Sequence, residues 1–164
     1  MDALEALKTR RSIRQYKPTP VPKELIEQTV DCARLAATAR NVQPWEFVVV
    51  TDAGKRKKLA GITEFGKFIE QSPVCVVVLC QDTKYYLEDG CAAIQNLMVA
   101  ARALGLGTCW VAGDKKPYAG EIAKEVGAPD GYRLIGLVAM GFSDEKPTPP
   151  KHALKDVLHW ETYR

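Results

Sequence analysis

The run Val74–Cys80, VCVVVLC, holds no polar residue in seven positions. A strand with one wet face alternates polar and apolar side chains, and this one does not. It therefore predicts a strand covered on both faces. Such a strand needs a sheet with helices on either side, and the rest of the chain can supply both. Trp45–Val50 (WEFVVV), Thr108–Val111 and Tyr132–Ala139 read as three further strands. Asp2 can cap a first helix running to about Thr9. Pro22 sits well at the start of a second, whose stripe of Leu25, Ile26, Thr29, Val30 and Ala33 reaches about Ala37. Asp52 caps a lysine-rich helix, and Tyr118–Val126 is a short one. Leu87–Leu104 is the longest helical pattern, with Cys91, Ile94, Leu97, Met98, Ala101 and Leu104 on one side, and Gly105 ends it. The expected class is α+β.

The 164 residues suit one domain, 1–164, in which 142–164 form a C-terminal extension. FSDEKPTPPKHA after Gly141 is too proline-rich for a core element. Leu154, Val157, Leu158 and Trp160 are nevertheless too apolar for a free tail. A partner subunit is a candidate for the surface they cover.

Composition excludes several classes. Apolar residues make up 46% and charged residues 26%, a globular balance that argues against disorder. With 23 basic and 20 acidic side chains the formal charge is only +3, so no nucleic-acid partner is expected. The basic run Lys55–Lys58 reads as a solvated helix face, with no aromatic residues interleaved for base stacking. No apolar run approaches the ~20 residues that cross a bilayer, and the start lacks a signal-like apolar stretch. No membrane partner and a cytoplasmic location are therefore expected. Cys32, Cys75, Cys80, Cys91 and Cys109 are an odd set with no CxxC, which suits free thiols in a reducing compartment.

Catalytic options are few. Both histidines, His152 and His159, lie in the tail, so neither a histidine metal site nor a Ser–His–Asp triad is easily built, and no metal is expected. There is no GxxxxGK[ST] loop. Gly105-Leu-Gly107 meets Trp110 where a dinucleotide fingerprint needs its third glycine. An enzyme of this composition would draw its chemistry from an organic cofactor.

Three segments could hold one. Arg10-Arg11-Ser12-Ile13-Arg14 places three guanidinium groups and a hydroxyl within five residues. If extended, it projects Arg10, Ser12 and Arg14 to one side. Such a set grips phosphate through charge-assisted hydrogen bonds, and a solvated basic turn explains the spacing equally well. Asn41 and Gln43 sit on a loop stiffened by Pro44. Their amides suit a planar heterocycle or ordinary loop capping. Gly105, Gly107 and Gly113 permit a close approach to a flat ligand, or simply make turns.

RRSIR, NVQPW, GLGTCWVAG and KPTPPKHALKDVLHWE, in that order, resemble the FMN-dependent nitroreductase family from Leu4 to Trp160. The resemblance implies a central mixed, mainly antiparallel sheet flanked by helices, with the C-terminal extension packing on the partner subunit of a homodimer. It implies FMN at the subunit interface, with the phosphate held by Arg10, Ser12 and Lys151 and Arg11 close by. Arg14 would lie toward the pyrimidine ring and ribityl chain, and Lys67 is matched to a lysine at the pyrimidine edge. Ala37, Thr38, Ala39, Asn41 and Gln43 would line the flavin of the other subunit. Backbone groups at Ala112 and Gly113 would approach the N5 edge. NAD(P)H would be the electron donor, a nitroaromatic or quinone the acceptor, and the kinetics ping-pong. The flavin would carry the hydride, with no catalytic side chain. The alternative is a flavin-binding protein with another role: storage, sensing, flavin fragmentation or reductive dehalogenation. Two departures stand out. Ala37-Thr38 replaces the usual Pro-Ser, and Lys151 offers a point charge where an arginine fork is common.

Overall fold

The protein is described by a computed structural model covering residues 1–163. Helices α1 (Ala3–Thr9), α2 (Lys23–Ala33), α3 (Ala53–Ile62), α4 (Tyr86–Ala103) and α5 (Ala119–Glu125) surround four strands: β1 (Trp45–Val50), β2 (Val74–Gln81), β3 (Gly107–Ala112) and β4 (Tyr132–Gly141). The strands are ordered β1-β2-β4-β3, and each neighbouring pair is antiparallel. One parallel bridge, Ser12 to Thr108, joins the basic N-terminal segment to β3.

β2 lies inside the sheet, with Val74–Cys80 buried throughout. Its alternate side chains serve two cores. Val74, Val76, Val78 and Cys80 pack with Ile26 and Ala33 of α2 and with Ile94, Leu97 and Ala101 of α4. Cys75, Val77 and Leu79 pack with Leu59 of α3, Ile122 of α5 and Ile69. This is why the strand is apolar at every position and not at every second one.

Local chemistry sets the ends of the elements. Asp2 and Asp52 cap α1 and α3, their carboxylates accepting from the N–H of Glu5 and Lys55 at 2.8 Å each. The second helix stops at Ala33, short of Ala37, and the chain then turns through Arg34–Ala36. Tyr118 precedes α5 and is not its first residue. In β4 a register shift sets Gly136 opposite Val78 and Leu134 opposite Leu79, so Ile135 is the extra residue of a bulge. Its carbonyl accepts from Gly113 (3.1 Å) and Asp114 (3.3 Å), which holds the corner after β3.

The chain beyond Gly141 contains one short 3-10 turn, Leu154–Asp156, and leaves Leu154, Val157, Leu158 and Trp160 exposed on this single chain. Among the described residues no helix is long and apolar enough to cross a membrane.

All five cysteines are free thiols. Burial pushes Cys75 and Cys80 from an ordinary value of 9.0 up to about 12, whereas Cys32 is exposed. Alkylation at pH 8 followed by mass spectrometry is expected to label Cys32 first and to spare Cys75 and Cys80 until unfolding. The two buried thiols keep their protons more tightly when folded. Their contribution to stability is complete below about pH 9 and is lost as pH rises toward 12.

Candidate functional site

The basic segment after α1 is laid along the free edge of β3. Ile13 N–H donates to the Thr108 carbonyl at 2.9 Å, beside the Ser12–Thr108 bridge. Gly107 makes this approach possible, because a Cβ there would lie 2.8 Å from the Ile13 side chain. Two clefts open along this edge.

The first, about 250 Å³, is lined by Arg10, Arg11, Ile13, residues 105–108 leading into β3, and residues 143 and 145–148. Lys8, Arg102 and Lys146 also line it, so five cations face one acid, Glu145. Glu145 Oε2 is itself engaged, accepting from the N–H of Arg14 (2.7 Å) and Gln15 (2.9 Å). Arg102 is steadied by Thr9 Oγ1 at 3.0 Å. Arg11 caps the end of α1, its Nη1 donating to the carbonyls of Lys8 (2.9 Å) and Arg10 (2.8 Å). Arg10 differs from these. Its Nη1 is buried and has no hydrogen-bond partner among the described residues. A buried charged donor left unpaired is costly, and an anion entering the cleft relieves that cost. A phosphate monoester has the charge and acceptor count to do so.

The second cleft, about 370 Å³, is lined by Arg14, Phe65, Phe68, Cys109–Ala112, Lys116 and Tyr118. The Arg14 guanidinium lies 5.9 Å from the centre of the Phe68 ring, and the Lys116 ammonium 5.8 Å from that of Phe65. Tyr118 donates to the Ala112 carbonyl at 2.6 Å, fixing the end of β3. Gly113 is required at the corner because a Cβ would come within 2.5 Å of Leu134. Burial raises the Cys109 thiol's pKa, and the nearby Arg14 guanidinium partly opposes this. Flat walls, an arginine and backbone at a strand end suit a planar, electron-accepting ring.

The expected residues fall into three groups. Arg10 and Arg11 line the first cleft and Arg14 and Ala112 the second, while Ser12 bridges to Thr108 on the shared edge. Lys67 turns away, its ammonium donating to the Ala60 (3.1 Å) and Gly61 (2.9 Å) carbonyls at the end of α3. Ala37, Thr38, Ala39, Asn41, Gln43, Gly113 and Lys151 line neither cleft of their own chain, Gly113 lying at the corner just past Ala112.

The 38–43 loop is unusual in itself. Arg40, Asn41 and Gln43 have φ of 55°, 56° and 53°, in the left-handed region, at a cost of roughly 1–3 kcal/mol each. Asp89, buried in the first turn of α4, holds the loop from beneath. Its two carboxylate oxygens accept from Thr38 Oγ1 (2.9 Å) and Ala39 N–H (3.0 Å). Asp89 lies four and eight residues before Ala93 and Leu97 on the buried face of α4. An acid within an apolar helical stripe is the signal that could have singled it out.

With this geometry in place, comparison with known proteins is direct. The Nitroreductase family model matches residues 7–71 and 63–142. The chain belongs to the nitroreductase family. An Archaeoglobus fulgidus family protein, provisionally named NADH dehydrogenase/NAD(P)H nitroreductase, is 33% identical over 154 residues, covering 88% of each chain. A Methanothermobacter thermautotrophicus protein of the same provisional name is 37% identical over 115 residues, and that match spans 60% of its length. The solved structure of an FMN-dependent nitroreductase from Clostridium difficile superposes with a TM-score of 0.91 at 27% identity, covering 98% of this chain and 99% of the other. The nitroreductase fold expected from the sequence, an α+β sheet between helices, is the fold found.

Proposed function

We propose that this nitroreductase-family chain is an FMN-dependent oxidoreductase that takes hydride from NAD(P)H. Its acceptor is flat and electron-poor, a nitroaromatic or a quinone. The observation that carries this reading is the buried, unpartnered Arg10 Nη1, set in a basic cleft on the same strand edge as an arginine- and aromatic-lined one. A mononucleotide with an anionic tail and a planar ring matches the pair. The names of the relatives and of the Clostridium difficile structure support the same cofactor and donor.

FMN, when bound, supplies the two-electron chemistry that links nicotinamide to acceptor. The chain's own residues bind and bias it. Arg10 and Ser12 hold the phosphate, with Lys151 added from the C-terminal extension and Arg11 shaping the turn beneath. Arg14, lining the second cleft, would set a fixed positive charge beside a bound ring and so would favour its reduction. Ala112 and Gly113, at the end of β3, would offer backbone groups to the bound ring. The loop carrying Ala37, Thr38, Ala39, Asn41 and Gln43 serves the pocket of a second copy. That copy also covers the apolar tail, making a homodimer with FMN at the interface. Residues 1–164 act as one domain with 142–164 as its extension. Five free thiols suit a reducing, cytoplasmic setting.

Steady-state oxidation of NADH or NADPH with a quinone or nitroarene acceptor tests the reading. Parallel double-reciprocal lines are expected, since donor and acceptor would use the same site in turn. A flavin-loaded protein that oxidises neither nicotinamide would instead be a flavin carrier or sensor.

A further inference from the structure

We propose that Asp89 is a positioning residue for the flavin site: its buried carboxylate holds the 38–43 loop in the shape that meets the cofactor. The proposal rests on the reading that this loop lines a flavin pocket in the dimer. Asp89 itself touches no reacting atom.

The argument starts from the converging donors. Thr38 Oγ1–H reaches Asp89 Oδ2 at 2.9 Å and Ala39 N–H reaches Oδ1 at 3.0 Å. Gln43 N–H donates at 3.0 Å to the same Thr38 oxygen. A two-link relay therefore runs from Gln43 through Thr38 to Asp89, and the Ala39 N–H adds a second anchor on the same carboxylate. Both Asp89 oxygens act as acceptors, a pattern an amide cannot copy because one of its ends is a donor. No hydrogen bond among the described residues runs from the Arg40 or Asn41 side chains back onto the core. Both side chains are exposed, so they are presented outward.

The base of this clamp is rigid. Gly90 follows Asp89, and a Cβ there would lie 2.6 Å from Ile135 and 2.9 Å from the Cys80 sulfur. Helix α4 therefore lies flush on the sheet at this turn, and the height of Asp89 is set by β2 and β4. The far end of the loop is pinned too, where Gln81 N–H donates to the Pro44 carbonyl at 2.8 Å. Left-handed backbone at three non-glycine residues persists only where its surroundings over-determine it. Here the surroundings are one buried carboxylate and one strand end. A carboxylate at 4% exposure on the buried face of α4 has no role in packing that an apolar residue would not fill better.

Asp89→Asn and Thr38→Val test the clamp, with Thr38→Ser as the conservative rescue. Amide hydrogen exchange of Ala39 and Gln43 is measured in the flavin-free protein. The FMN dissociation constant is measured by quenching of flavin fluorescence. Both disruptive variants are expected to exchange these amides at least about ten-fold faster and to bind FMN about ten-fold more weakly. Thr38→Ser should match the parent in both. Exchange at Val76–Val78 reports global stability and should stay slow, which separates loop release from unfolding. If the parent binds FMN and Asp89→Asn binds it equally well, the positioning role is wrong while the flavin reading stands. Faster exchange without weaker FMN binding overturns the proposal too, since the loop would then be held for another reason. Failure of the parent itself to bind FMN overturns the flavin reading, and this proposal falls with it.

Discussion

Replacing Arg10 by alanine is expected to weaken FMN binding by at least about 30-fold, measured as the dissociation constant of the purified protein. The buried Nη1 has no partner among the described residues, so a bound phosphate is its natural acceptor. Truncating one member of a buried, hydrogen-bonded charge pair costs roughly 2–5 kcal/mol, and 1.4 kcal/mol is ten-fold in affinity. Arg10→Lys should recover part of the loss, because an ammonium keeps the charge and gives up the fork. The flavin-free form offers a second readout. Its thermal midpoint should hold or rise in Arg10→Ala, since the variant removes an unsatisfied buried donor and leaves the core untouched. Unchanged flavin occupancy in Arg10→Ala would mean that the phosphate sits elsewhere.

The largest effect on stability is expected at Leu97. It is fully buried on α4, where that helix and α2 press on the even-numbered face of β2. Leu97→Ala removes three carbons and leaves a cavity, for a loss of about 2–5 kcal/mol by urea unfolding. For a domain of this size that corresponds to a fall of roughly 4–20 °C in thermal midpoint. Leu4→Ala makes the contrast, because Leu4 is 66% exposed and its truncation should cost under about 0.5 kcal/mol. Comparable losses at the two sites would contradict the assignment of this core.

The fold was legible where a periodic pattern was strong. The unbroken apolar run of β2 announced a strand covered on both faces, and Asp2 and Asp52 are the caps they were read to be. Boundaries were less legible. The second helix ends four residues early because Arg34–Ala36 close a turn that no proline or glycine marks. The bulge at Ile135 depends on pairing with β2, which is invisible in β4 alone.

The candidate site divides along the same line. RRSIR is contiguous, so its basic cluster could be read from the sequence. The one-sided set of Arg10, Ser12 and Arg14 that an extended spacing predicts is divided: Arg10 and Arg11 line the first cleft and Arg14 the second. Lys67, placed at the flavin edge by resemblance alone, donates within its own chain to the carbonyls at the end of α3. Asp89 lies 51 residues from Thr38, and only the docking of α4 brings them together. Arg102 and Glu145 reach the first cleft by the same kind of tertiary accident.

The central claim is that the N-terminal arginines of this chain hold FMN in a pocket completed by a second copy. Purified protein saturated with FMN, freed of excess ligand and passed through light scattering with absorbance detection, tests it most directly. One flavin per chain, two visible absorbance bands and a molar mass twice that of a single chain are predicted. A colourless protein, or a monomer that retains its flavin, would contradict it.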